Sequence, residues 1–160
     1  MSEHSEIQAE VIREARKKAL RLLTVSDRTE FQLREKLREG GFPPEAVDAA
    51  IEYVRSFHYI DDARYAEVFV RSRKEEKSVY EIRMELRKRG VADTLIEEAL
   101  QGAEIDEQKT VAWLFSKKYG KKDLTDPRIY ERAFRYFGTR GFSYEDIRAA
   151  LTEAVTEEEN

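Results

Sequence analysis

A glycine recurs at nearly constant spacing along this chain, and no other feature restricts its fold as tightly. Gly41, Gly90 and Gly141 lie 49 and 51 residues apart. Four residues before each stand Leu37, Leu86 and Phe137; one after stand Phe42, Val91 and Phe142. Six after come Val47, Ile96 and Ile147, and ten after Ile51, Leu100 and Leu151. Every column is apolar. A fixed period of this size marks a repeat protein. A unit of about 50 residues buries little surface by itself, so each repeat is expected to lean on its neighbour.

Each repeat reads as three helices. Phe31, Leu33 and Leu37, and again Val79, Ile82 and Leu86, have helical spacing. Ser78-Val79-Tyr80-Glu81 has the form of a capping box, Asp126-Pro127 that of an N-cap followed by proline, and Ser143 opens a last helix. The anchor glycines suit the left-handed position that ends a helix. The remaining helices are expected over Glu45 to Arg55, Thr94 to Leu100 or slightly beyond, and Tyr144 to about Val155, with less regular first helices over Glu10 to Leu23, Ala63 to Lys74 and Glu107 to Tyr119. Strand-like alternation is absent. The expected fold is all-α, with three tandem three-helix repeats in an elongated, curved arrangement: a flexible tail over 1–9, repeats over 10–57, 58–104 and 105–155, and an acidic tail over 156–160.

Charge follows the same period. Residues 11–38 carry net +5, 39–62 net −5, 63–92 net +4, 93–107 net −6, 108–141 net +6 and 142–160 net −5, within a chain of net charge −4. The first two helices of each repeat are basic and the third is acidic. Either the two kinds neutralise each other within a repeat, or the basic helices form a stripe that binds phosphates or an acidic protein groove. The densest candidates are Arg71, Arg73, Lys74, Arg83, Arg87, Lys88 and Arg89. Arg83 and Arg87 share a helix face beside the apolar stripe, where solvent is expected. Glu75, Glu76, Glu81 and Glu85 dilute this field, so any affinity for DNA alone should be modest and salt-dependent.

Catalytic chemistry finds no foothold, and no cofactor or metal is expected. The absence of cysteine excludes disulfides, thiolate metal sites and cysteine nucleophiles. His4 and His58 lack metal-site spacing, and His58 reads as a packed or half-exposed ring. Gly40-Gly41 lacks the phosphate-loop pattern. Asp61 and Asp62 read as a helix cap and dipole partner rather than an acid/base pair. Trp113 reads as a core residue, while Tyr80 and Tyr119 are candidates for exposure. With no secretory signal and no apolar run near the roughly 20 residues that cross a bilayer, a cytoplasmic, membrane-free monomer is expected.

The segment Tyr59-Ile60-Asp61-Asp62-Ala63-Arg64-Tyr65-Ala66 resembles the signature of the RecX family, two acids followed by Arg-aromatic-Ala. Ile82 to Val91 resembles that family's Leu-x-x-Lys-Gly-Ile element, with Arg89 in the lysine position. Residues 19–23 and 28–37 resemble its first repeat, with Phe31 where leucine is common. The resemblance spans about residues 15–151. It is weakest in the third repeat, whose second helix is unusually aromatic (Tyr130, Phe134, Tyr136, Phe137). It implies a non-enzymatic regulator of the RecA recombinase, most often an inhibitor, that binds in the groove of the RecA–DNA filament and modulates recombination, DNA repair and the SOS response. Single-stranded or filament DNA would be a weak, salt-dependent second partner. Asp61, Asp62, Arg64 and Tyr65 form the signature, and a structural role is expected for them.

Two other readings compete. Ser78 to Leu100 has the helix, glycine turn and helix of a sequence-specific DNA binder. The helix after that turn, however, carries Asp93, Glu97 and Glu98, which repel phosphate. The other rival is a helical-repeat scaffold for protein partners.

Overall fold

A computed structural model describes residues 2–120 and 124–159; Met1 and Asn160, the outer ends of the expected tails, and residues 121–123 of the third basic block lie outside it. Among the described residues there are nine helices and no strand. They are α1 (Glu3–Val25), α2 (Glu30–Glu39), α3 (Pro44–Ser56), α4 (Asp62–Arg73), α5 (Val79–Lys88), α6 (Asp93–Gly102), α7 (Glu107–Tyr119), α8 (Pro127–Thr139) and α9 (Tyr144–Glu159). The packing groups them into two units. One comprises residues 1–66 and 86–96, the other residues 67–85 and 97–160, so the middle repeat contributes to both.

In the first unit α1 packs along α3, and α2 closes against both. Its core is built on Ala15, Ala19, Leu33, Leu37, Val47, Ile51 and Val54. In the second unit α9 packs against α7 and α8, around Val111, Phe115, Ala133, Phe137, Ile147 and Leu151. The four apolar columns of the period are this core: every member is buried except Phe42, which is half-buried. An apolar side chain repeated at one position relative to a chain reversal points the same way each time, which is why the columns are legible.

The glycines act as expected. Gly41, Gly90 and Gly141 have φ of 85°, 81° and 90°. The amide that follows each reaches back over the helix end, Phe42 N–H to the Leu37 carbonyl (3.3 Å), Val91 to Leu86 (3.1 Å) and Phe142 to Phe137 (3.2 Å). This satisfies carbonyls that the helix leaves unpaired. Helix α3 ends identically, with Tyr59 N–H on the Val54 carbonyl at 2.9 Å, but there the left-handed residue is His58, at φ 58°. Its ring is exposed rather than packed or half-exposed, because a left-handed backbone turns the side chain off the helix end.

Two helix ends differ from expectation. Helix α1 begins at Glu3 rather than Glu10, since the Ser2 side chain accepts the Ser5 N–H and Glu3 and Glu6 sit in the positive first turn. Helix α9 runs to Glu159, past Val155. Trp113 is 41% exposed rather than core, because α7 meets α9 through Val111 and Phe115 instead. Tyr80 is exposed and Tyr119 is buried.

Candidate functional site

The side chains singled out in the sequence fall into two groups: those consumed in joining one repeat to the next, and those left toward solvent.

In the first unit, Thr29 opens α2 and is wholly buried. Its hydroxyl accepts the Gln32 N–H (3.1 Å) and donates to the Arg89 carbonyl (2.6 Å), while Gln32 Oε1 accepts the Thr29 N–H (3.1 Å). The next free amide of α2, Glu30 N–H, donates to Asp62 Oδ1 at 3.0 Å. Gly90 lies directly under the Phe31 side chain, where a Cβ would collide. Arg89 Nη1 donates to the Tyr65 hydroxyl at 2.5 Å. Asp61 caps its own helix, accepting the Arg64 N–H at 3.1 Å. Arg64 itself is exposed.

The second unit repeats this arrangement. Ser78, wholly buried, accepts the Glu81 N–H (3.0 Å) and donates to the Arg140 carbonyl (2.6 Å), and Glu81 Oε1 accepts the Ser78 N–H (3.0 Å). Val79 N–H donates to Glu107 Oε2 (3.4 Å), and Asp106 caps α7 through the Lys109 N–H (3.2 Å). Gly141 lies against Tyr80. Asp61-Asp62 therefore has a counterpart in Asp106-Glu107, one acid capping its own helix and the next capping the helix of the preceding repeat.

One substitution separates the joints. Gln32 is neutral, and its counterpart Glu81 is charged. Glu81 draws the Arg140 guanidinium onto itself at 2.9 Å, and Arg140 also donates to the Glu76 carbonyl at 2.8 Å. Burial alone would raise the Glu81 pKa, but the Arg140 and Ser78 hydrogen bonds and the nearby cations Arg140 and Lys77 outweigh it and hold the carboxyl below the ordinary 4.5. Burial lowers the Arg140 pKa, but Glu81 and Tyr136 together raise it above its ordinary value. Asp62 and Glu107 shift the other way. Desolvation raises both; Asp61 adds to it at Asp62 against Arg55, and at Glu107 the Val79 N–H and Arg83 only partly offset burial and Asp146.

The basic candidates divide accordingly. Arg89 belongs to the joint. Arg83 lies over α6, its Nε 2.6 Å and Nη2 3.3 Å from the Glu97 carboxylate, and Arg87 Nε is 2.8 Å from Asp93. The face expected to meet solvent at Arg83 and Arg87 is thus paired with the acidic helix after the turn, since the Schellman reversal folds α6 back beside α5. Lys74 donates to the Glu104 carbonyl (3.2 Å), and Arg73 stacks on Phe69 at 5.0 Å. Arg71 and Lys88 are exposed. In the second unit a further exposed set, Arg128, Arg132, Arg135 and Arg148, lies beside the aromatic face of α8; sequence reading noted the rings but not these arginines as a group. No cluster of three metal-ligating side chains occurs among the described residues.

Left-handed glycine stops and a capped joint that recurs from unit to unit define an all-helical tandem-repeat protein. Comparison with known proteins narrows this class. Residues 15–53 match the family model "RecX, first three-helix domain" and residues 61–100 "RecX, second three-helix domain". The regulatory protein RecX of Halorhodospira halophila is 36% identical over 152 residues, covering 94% of this chain and 92% of the relative. That of Clostridium botulinum is 28% identical over 91% of this chain and 71% of its own. The crystal structure of RecX from Lactobacillus salivarius superposes with a TM-score of 0.79 at 23% identity, covering 91% and 97% of the two chains, and shares the fold. A crystal structure of regulatory protein RecX gives 0.73 at 25% identity over 98% and 80%. The chain belongs to the RecX family of regulatory proteins.

Proposed function

We propose that this protein is a non-enzymatic inhibitor of the RecA recombinase that binds in the groove of the RecA–DNA filament. The observation that carries the reading is the 36% identity, along nearly the whole chain, to a regulatory protein RecX. The basic faces of its helices supply the contacts, each weak and exposed, and several engaged together give useful affinity. Arg71 and Lys88 are the residues best placed for this, being exposed in the second and first unit respectively. Arg73, Lys74, Arg83 and Arg87 contribute field rather than direct contact, because each already leans on a local partner. The repeats act as the units 10–57, 58–104 and 105–155. The helix-turn-helix alternative is disfavoured by α6: Asp93 and Glu97 face the arginines of α5, which leaves an acidic helix where a DNA reader would stand.

The test is RecA-dependent ATP hydrolysis on single-stranded DNA, titrated with this protein at low and physiological salt. Suppression is expected. The double reversal Arg71→Glu with Lys88→Glu should raise the half-suppressing concentration about tenfold, as two contacts of roughly 0.7 kcal/mol each would. Helicity should not change. Arg83→Glu or Arg87→Glu is a poorer probe, since each sets a carboxylate against Glu97 or Asp93. No suppression at any ratio would refute the recombinase reading.

A further inference from the structure

Each joint has a receiving side, the left-handed turn that ends the second helix of a repeat. The turn at Gly90 receives Thr29 and Phe31, and the turn at Gly141 receives Ser78 and Tyr80. In both, a buried hydroxyl donates at 2.6 Å to the carbonyl of the residue before the glycine. In both, the aromatic side chain two residues after that hydroxyl lies where a glycine Cβ would be. The same turn ends α2. Gly41 has the same backbone, at φ 85°, and Phe42 N–H reaches back to the Leu37 carbonyl in the same way. Around Gly41, however, nothing lies within 4 Å of the Cβ position. Phe42 is half-buried, whereas its counterparts Val91 and Phe142 are only 5% and 4% exposed. The Gly40 carbonyl holds the place of the Arg89 and Arg140 carbonyls, and Gly40 is exposed, with no side chain to cover the turn.

We propose that the Gly40–Phe42 turn docks the first turn of a helix from another protein, one that opens with Ser/Thr-x-Phe/Tyr-Glu/Gln. The two joints define this ligand: Thr29-Glu30-Phe31-Gln32 and Ser78-Val79-Tyr80-Glu81 are the segments that the other two turns receive. The hydroxyl accepts an amide of its own helix while donating to the receiving carbonyl, the Glu or Gln closes the capping box, and the ring covers the glycine. No third segment of this form occurs in the sequence. A second copy of the chain would therefore have to open one of its own joints to supply it. The flanking charges are already paired, Arg38 with Glu35 at 2.6 Å and Lys36 with Glu39 at 3.6 Å, so the turn offers little to a phosphate backbone. The inference stands apart from the recombinase reading, because the probe is a peptide with no RecA present.

The experiment titrates the isotope-labelled full chain with a peptide of residues 77–89 and follows amide chemical shifts. The peptide carries Arg89→Lys, joined to Glu85 by a lactam so that it is helical before it binds. Saturable shifts are expected at Gly40, Gly41 and Phe42, with Gly90 and Gly141 unmoved. Ser78→Ala in the peptide should weaken binding about tenfold, since cap and donor go together, and Tyr80→Ala by a similar factor. In the chain, Gly41→Asn keeps a left-handed backbone that asparagine tolerates but fills the space over the turn, so the shifts should vanish while the rest of the spectrum stays folded. The proposal is overturned if the helical peptide moves none of these three amides, or moves Gly141 instead, which would mark exchange with α5. Full affinity of the Ser78→Ala peptide, or of Gly41→Asn for the unaltered peptide, overturns it equally.

Discussion

Ser78 offers the sharpest test of how the repeats are joined. Its hydroxyl does two things in a wholly buried setting: it accepts the Glu81 N–H at 3.0 Å and donates to the Arg140 carbonyl at 2.6 Å. Ser78→Ala removes both. Loss of the cap costs about 1 kcal/mol. Loss of the donor to Arg140 costs about 1 kcal/mol more, because the carbonyl loses a short bond in a part-buried site. Ser143 provides the control in the same unit. It caps α9 through the Asp146 N–H (3.1 Å) but is exposed, and its hydroxyl donates to the Asp146 carboxylate of the same helix (2.9 Å). Ser143→Ala should therefore cost about 1 kcal/mol or less. Urea unfolding followed by the fluorescence of Trp113, the sole tryptophan and a residue of the second unit, separates the two. With a slope of about 2 kcal/mol per molar, the midpoint should fall by about 1 M for Ser78→Ala and half that for Ser143→Ala. Equal shifts would refute the joint as a source of stability and leave Ser78 as an ordinary cap.

The glycines grade by surroundings. Gly41→Ala meets only the strain of φ 85° in open space and should cost about 1 kcal/mol, whereas Gly141→Ala also drives a Cβ to 2.6 Å from that of Tyr80 and should cost about 2 to 3 kcal/mol by thermal unfolding. Gly138→Ala, within α8 with nothing near its Cβ, should stabilise by about 0.5 kcal/mol. His58→Gly relieves a left-handed residue at φ 58° and should stabilise by about 0.5 kcal/mol after the entropy of glycine is subtracted. The acids should titrate stability in opposite senses. Glu81 is depressed, so its contribution is present above the ordinary 4.5 and lost as pH falls through its lower folded value; Glu81→Gln should destabilise at pH 7 and converge on wild type in acid. Glu107 is raised, so its contribution is present below 4.5 and lost as pH rises through the folded value; Glu107→Gln should stabilise at pH 7, again converging in acid.

What was legible in the chain follows from what is local. A glycine at the end of a helix, the apolar residues fixed around it and the serines that open α5 and α9 are all decided within a few residues, and each takes its expected place. Trp113 misled because an aromatic in an apolar stretch is usually buried, and only the course of α9 shows that α7 turns Val111 and Phe115 inward instead. Arg87 is exposed as its position beside the apolar stripe implies, whereas Arg83 is half-buried; the acids that pair with them, Asp93 and Glu97, could not be read from their spacing because they arrive through a chain reversal. The pair Asp61-Asp62 reads as a helix cap and a dipole partner; Asp61 is the cap, while Asp62, beyond its place in the first turn, also caps α2. A signal for this did exist. Asp61-Asp62 and Asp106-Glu107 lie 45 residues apart, close to the glycine period, and aligning them would have exposed a second acidic column.

That column bears on how the family resemblance is to be used. Of the signature residues, Asp62 and Tyr65 meet the first repeat's cap and the Arg89 turn, and Asp61 holds the helix that presents them. Arg89 and Gly90, from the second motif, are the other side of the same joint. Apart from the exposed Arg64, the motif residues just named are those that lock one repeat to the next, with their polar groups already satisfied internally. Substituting them would perturb a partner's binding only by loosening the fold, and stability would fall in step. Basic residues that meet a partner must instead keep unspent charge, which points to Arg71, outside the motifs, and to Lys88, at an unspecified position of the second motif. Affinity lost at constant stability at those two positions, and stability lost with affinity at Asp62 and Tyr65, is the pattern this division requires. Asp62→Ala that weakens binding while leaving the unfolding midpoint untouched would break it.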